Sequence, residues 1–160
     1  MNEAGRIADL LRRSYEGEAW HGPALRELLE SVSAAQAAAR PVAKAHSIWE
    51  IALHIGAYED VVRRRIQGEA VGEVSESEAW PKPGETTPAA WRETLARLED
   101  GHRRLGEAVA GFPDARLPET VPGRDYPFYV MLYGIIEHDL YHAGQIALLM
   151  RAQGVSPHDE

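Results

Sequence analysis

The sequence predicts an all-α fold: a four-helix bundle with a long crossover between its second and third main helices. Apolar residues recur at helical spacing almost throughout the chain, and no run alternates convincingly as a strand. Two irregular stretches bearing proline and glycine separate the long periodic segments, as connections between bundle helices do.

The first main helix is expected over residues 3–15, with Ile7, Leu10 and Leu11 on one side. Trp20-His21-Gly22-Pro23 interrupts it, and Pro23 suits the first turn of a short helix carrying Leu25, Leu28 and Leu29. The alanine-rich residues 33–39 add a further turn or two, closed by Pro41. Ser47-Ile48-Trp49-Glu50 reads as a capping box, with Ser47 as N-cap and Glu50 reaching back from the third position. The second main helix opens there, carries Ile51, His54, Ile55, Tyr58, Val61 and Val62, and stops at Gly68. Residues 69–86 are polar and form the crossover, with Trp80 as an apolar residue of no evident place.

Thr87-Pro88 pairs an N-cap with proline at the first helical position, which starts the third main helix. It runs through Trp91, Leu95, Leu98, Leu105 and Val109 to about Phe112. Residues 113–126 hold three prolines and a glycine, and the last helix covers residues 127–153, before Gly154. The whole chain, residues 1–160, reads as one domain with a polar tail from about residue 154.

Composition narrows the function. A net charge of −8 disfavours nonspecific nucleic-acid binding, so no nucleic-acid partner is expected. Arg63-Arg64-Arg65 is the one basic run, and near a helix C-terminus it reads as a solvated end. There is no cysteine, which excludes disulfides, thiolate ligands and a cysteine nucleophile. No apolar stretch approaches the ~20 residues of a membrane span, and the N-terminus lacks a signal-peptide core. A cytoplasmic protein with no membrane partner is the expectation.

The chemistry concentrates in His138-Asp139-Leu140-Tyr141-His142. Four-residue spacing places both imidazoles on one helical face, one turn apart. His138 and His142 share their stripe with Met131, Gly134, Ile135, Gln145, Ile146 and Leu149, so the stripe faces the core. Gly134 and Gly144 imply close helix approach or room for a ligand. His54 lies on the second helix one turn after Glu50 and one turn before Tyr58. Two ligands from one helix and one from another make an open three-histidine site, with positions left for water or substrate. Nitrogen ligation suits a divalent ion, with Zn²⁺, Ni²⁺ or Fe²⁺ expected and Cu²⁺ also compatible. The other reading is that the three histidines pack as hydrogen-bonded core residues.

Other residues carry weaker signals. Glu50 is first a capping residue, and second a candidate base for metal-activated water. Glu137, Asp139 and Gln145 are candidates for orienting imidazoles, and Tyr58 and Tyr141 for donating to a bound anion. His21 reads as a loop residue, His46 as the residue before the cap, His102 as exposed among Asp100, Arg103 and Arg104, and His158 as part of the tail.

Ala19-Trp20-His21-Gly22-Pro23, His46-Ser47-Ile48-Trp49-Glu50 with His54, and Glu137-His138-Asp139-Leu140-Tyr141-His142-Ala143-Gly144-Gln145-Ile146 together resemble the DinB/YfiT-like superfamily. The resemblance implies a four-helix bundle whose three motif histidines, here His54, His138 and His142, bind a divalent metal, and it implies a homodimer. It further implies a small-molecule substrate and a thiol-dependent S-transferase using a low-molecular-weight thiol such as bacillithiol or mycothiol. A metal-dependent hydrolase and a non-enzymatic metal- or small-molecule-binding stress protein are the alternatives it leaves open.

Overall fold

A computed structural model describes residues 1–156, and among them every regular element is helical. Four helices are long: α1 (Glu3–Glu16), α4 (Ile48–Ile66), α6 (Pro88–Ala110) and α7 (Phe128–Ala152). Three are short: α2 (Leu25–Glu30), α3 (Ala34–Ala38) and α5 (Glu76–Ala79). A 3₁₀ turn, Asp114–Arg116, precedes an isolated bridge between Thr120 and Pro127. Among the described residues no helix is long and apolar enough to cross a membrane.

The caps follow from sequence. The Ser47 hydroxyl accepts from the Glu50 amide at 3.2 Å while the Glu50 carboxylate accepts from the Ser47 amide at 2.8 Å. Thr87 caps α6 with Pro88 in its first turn. Gly68 and Gly154 end α4 and α7 at φ +91° and +73°, a backbone region that glycine enters without steric cost. The crossover differs from expectation. It contains α5, opened by a further capping box in which the Glu78 carboxylate accepts from the Ser75 amide.

α6 and α7 each pack against both α1 and α4, and α5 rests on α4. The buried apolar residues fall into two clusters. One gathers Leu25, Leu28, Ile48, Trp49, Ile55, Trp91, Leu98, Ile146 and Met150. The other gathers Ile7, Leu11, Val62, Leu105, Val109, Phe128 and Leu132. On each of α4, α6 and α7 the change from one cluster to the other is marked by buried polar side chains. These are Glu59 on α4, His102 on α6, and Asp139 with His142 on α7. A polar layer therefore divides the core, and the candidate site lies in it.

Several local expectations are corrected. Leu10 is 46% exposed although Ile7 and Leu11 are fully buried. Pro23 lies just before the N-cap of α2, which is Ala24. Arg65 is buried, donating to the carbonyls of Val71 and Gly72 and to the Tyr126 hydroxyl, while Arg63 and Arg64 pair with Asp60 and Glu69. A Cβ at Gly134 or Gly144 would meet nothing within 4 Å, so neither permits close helix approach. His158 lies outside the described residues.

Candidate metal centre

α4 and α7 bring His54, His138 and His142 together, each offering a ring nitrogen within 4.8 Å of the others. His54 and His142 are buried and His138 is partly so. Each imidazole is oriented through Nδ1. That of His54 lies 2.6 Å from the Ala79 carbonyl oxygen at the end of α5, an atom that only accepts, so His54 carries its proton there. The Nδ1 of His142 lies 2.8 Å from Oε1 of Gln145, and that of His138 lies 3.4 Å from Oδ1 of Asp139. With the proton on Nδ1, as the Ala79 carbonyl fixes it for His54, Nε2 is left as a lone pair for a ligand.

The Nε2 atoms of His54 and His138 face each other at 3.0 Å. At that separation Nε2–H of His138 can donate to the Nε2 lone pair of His54; with both protons on Nδ1 the two lone pairs would instead face a shared cation. Metal–nitrogen bonds of ~2.0–2.1 Å separate neighbouring ligand nitrogens by roughly 3–4 Å, so the spacing fits. Burial pushes His54 down to about 4 and His138 down to about 3, the adjacent histidines adding to both shifts. His142 is also lowered by burial, with its Gln145 bond opposing. All three are therefore neutral at pH 7, the state a metal needs. The cluster is compatible with a bound divalent cation.

Trp80 is the residue that composition could not place. Its indole lies between His46 and His54, stacked on each at 3.7 Å between ring centroids, and so roofs the cluster from the crossover. Two cavities meet the histidines. One of about 340 Å³ is lined by Val42, His46, Trp80, Tyr141, His142 and Leu148. The other, about 280 Å³, is lined by Tyr58, Arg65, Tyr126, Met131, Gly134 and His138. A larger cavity of about 560 Å³ between α4, the crossover and α6 holds none of these histidines.

Glu50 takes its capping role. Its carboxylate accepts from the Ser47 amide, pairs with the Arg40 guanidinium, and lies 3.7 Å from Nδ1 of His46. Burial opposes its ionisation, but the Ser47 bonds and Arg40 outweigh this and hold its carboxyl below the ordinary value. Glu137 is exposed, as is His21.

His102 overturns its expectation. It is 4% exposed, stacks on Tyr15 at 4.1 Å, and places Nδ1 2.6 Å from Oε1 of Glu59. Asp139 completes this second group, all of whose candidate ligand atoms lie within 4.8 Å of one another. Burial lowers His102 to about 4 and raises Glu59 well above the carboxylate range. Asp139 is raised likewise by burial and by the facing charge of Glu59. The signal for this group is stripe position. His102 follows Leu98 by four residues and precedes Leu105 by three, while Glu59 stands in the same relation to Ile55 and Val62. Its charged sequence neighbours occupy the opposite face.

Among known proteins, the sequence model of the family described as the DinB superfamily matches residues 19–146, more than half of the chain and inclusive of all three histidines. No curated protein and no solved structure matches the chain.

Proposed function

The chain belongs to the DinB superfamily, and from that premise we propose a divalent-metal-binding, thiol-dependent S-transferase built on the family's four-helix bundle. His54, His138 and His142 are its ligands. The observation that carries this reading is the convergence of three neutral imidazoles, with one cavity lined by His142 and a second, unlike one lined by His138. A divalent ion held by these three imidazoles would supply Lewis acidity that lowers the pKa of a thiol.

The chain's own residues divide the remaining work. The Ala79 carbonyl and Gln145 fix the tautomers of His54 and His142, so their lone pairs point inward without reorganisation. The cavity beside His138 is lined by Arg65, Tyr126 and Tyr58, a cationic and polar lining that suits the acidic groups of a low-molecular-weight thiol. The cavity beside His142 is walled by Trp80, Tyr141, Val42 and Leu148, which suits an apolar electrophile. Sulfur attacks the electrophilic carbon, a carbon–sulfur bond replaces the bond to the leaving group, and the thiol proton passes to water. The chain has no cysteine, so the sulfur comes from a small molecule. Such a thiol implies a cytoplasmic setting.

Hydrolysis is less well supported, because the carboxylate of Glu50 is engaged by its cap and by Arg40. Exposed Tyr141 and Leu148 on α7, with Val42 beside them at the same cavity, offer an apolar face for a homodimer. The test of function is turnover of a chromogenic electrophile with bacillithiol or mycothiol by metal-loaded protein. Thiol-dependent product formation that His142→Ala abolishes supports the transferase. Ester cleavage without thiol supports a hydrolase instead, and metal binding with neither activity supports a binding protein.

A further inference from the structure

We propose that Glu59, His102 and Asp139 form a second metal site, closed to solvent, beside the three-histidine centre. Its donor set of one imidazole and two carboxylates suits Mn²⁺, Fe²⁺ or Zn²⁺. The three side chains come from α4, α6 and α7, and their relative exposures are 0%, 4% and 1%.

Two observations point to a cation. Oε2 of Glu59 and Oδ2 of Asp139 are buried with no hydrogen-bond partner, although both belong to a group whose ligand atoms lie within 4.8 Å. Among the described residues, neither carboxylate pairs with lysine or arginine; Glu59 meets only His102 and Asp139 only His138. Two carboxylates close together in an apolar interior cannot both ionise without a counter-charge, and protonating Glu59 toward His102 would still leave one oxygen of each carboxyl buried without a partner. A divalent ion supplies charge and partners together.

The surroundings match what ligands need. A backbone hydrogen bond with Leu11 and the stacked Tyr15 ring hold His102 from its other side, the arrangement that orients a metal-binding imidazole. Asp139 turns Oδ1 toward His138 and leaves Oδ2 buried without a partner. The two centres would then be joined through one step of α7. Long helices facing one another supply such buried carboxylate–imidazole sites in other bundles.

The test is metal content of untagged full-length protein after titration with Zn²⁺ and, separately, Mn²⁺. It is run beside a His54→Ala/His138→Ala/His142→Ala variant and Glu59→Gln, each checked for helical content. Two equivalents in the wild type, with one retained in each variant, is the expected result. One equivalent in the wild type that survives the triple change also supports the closed site and removes the three-histidine reading. One equivalent lost in the triple variant and unchanged in Glu59→Gln overturns the closed site and leaves the proposed function standing. No uptake overturns both. If Glu59→Gln does not fold, the wild-type and triple-variant counts decide the question alone.

Discussion

Two polar clusters occupy one layer of this molecule, and they meet at consecutive residues, His138 and Asp139. The first is all imidazole and borders two cavities; the second mixes carboxylates with imidazole and is sealed. On a helix, adjacent side chains point about 100° apart, so one residue step on α7 turns from an open centre to a closed one. The chemistry follows from that step. In the open cluster each ring has an acceptor near Nδ1 and needs nothing further to stay neutral. In the closed cluster carboxylate oxygens remain without donors. An open site holds ligand atoms ready at little cost to the fold, whereas a closed one ties the fold to what fills it.

The largest effect expected from this difference is on stability. His102→Ala removes the hydrogen-bonded partner of a fully buried carboxyl and should destabilise by about 1–3 kcal/mol, the range for a buried polar group left without its partner. His142→Ala removes one bond to the half-buried Gln145 and should cost about 1 kcal/mol in metal-free protein. Guanidinium denaturation of both variants, with chelator present, measures the contrast. Equal losses would show that the open cluster is as structural as the closed one.

The buried histidines and the buried carboxyl of Glu59 should respond to pH with opposite sign. Histidines lowered in the folded state bind protons less readily than in the unfolded chain. Stability of the metal-free protein should fall as pH drops from 6.5 toward about 4, where His54 and His102 titrate when folded. For His102 alone that window corresponds to roughly 3 kcal/mol, at 1.36 kcal/mol per unit. Glu59 is raised, so the stability held by its protonated form is present below its ordinary value of 4.5 and is lost as pH rises. Unfolding curves across pH 4–8 should therefore steepen on the acid side through the histidines. Glu59→Gln should lessen the loss toward pH 8, and an unchanged alkaline arm would break the assignment.

The open cluster was legible in sequence because its signals are local. An i,i+4 pair within an apolar segment needs only helical geometry to share a face, and His54 on a second core-facing stripe needs only α4 packed against α7 to join it. The closed cluster was misread for a physical reason. His102 stands beside Asp100, Arg103 and Arg104, and those neighbours suggest exposure, yet residues one to three apart on a helix face different ways. Its partners on the stripe, Leu98 and Leu105, carried the correct information. Glu59 was hidden among Asp60 and the arginines in the same manner. Trp80 was not readable at all, since its contacts with His46 and His54 depend on how the crossover folds back over α4. The α5 capping box, Ser75 with Glu78, is a local signal set within a segment whose polarity reads as loop.

Orientation of the open cluster is a smaller term. Gln145→Leu removes the acceptor that holds Nδ1 of His142 and should weaken metal affinity by about 10–100-fold, the usual range for partners that orient a ligand. Titration against a chromophoric chelator measures the change. The metal-free stability of the variant should stay near wild type, because Gln145 is only partly buried. Unaltered affinity would mean that His142 is held by packing against Tyr141 and Trp80 alone.

The smallest effect should come from Glu50, which lies one turn from His54 in sequence yet belongs to neither cluster. Glu50→Ala deletes half of the α4 capping box and the Arg40 pair, and should cost about 1 kcal/mol of stability. Metal stoichiometry and affinity should be unchanged, since the Nδ1 of His54 is held from α5 by the Ala79 carbonyl. Comparing thermal denaturation with metal titration on the same variant separates the two roles. A loss of affinity exceeding the loss of stability would draw Glu50 into the open centre. Equal affinity would confirm that the helix end and the ligand it carries are set by different contacts.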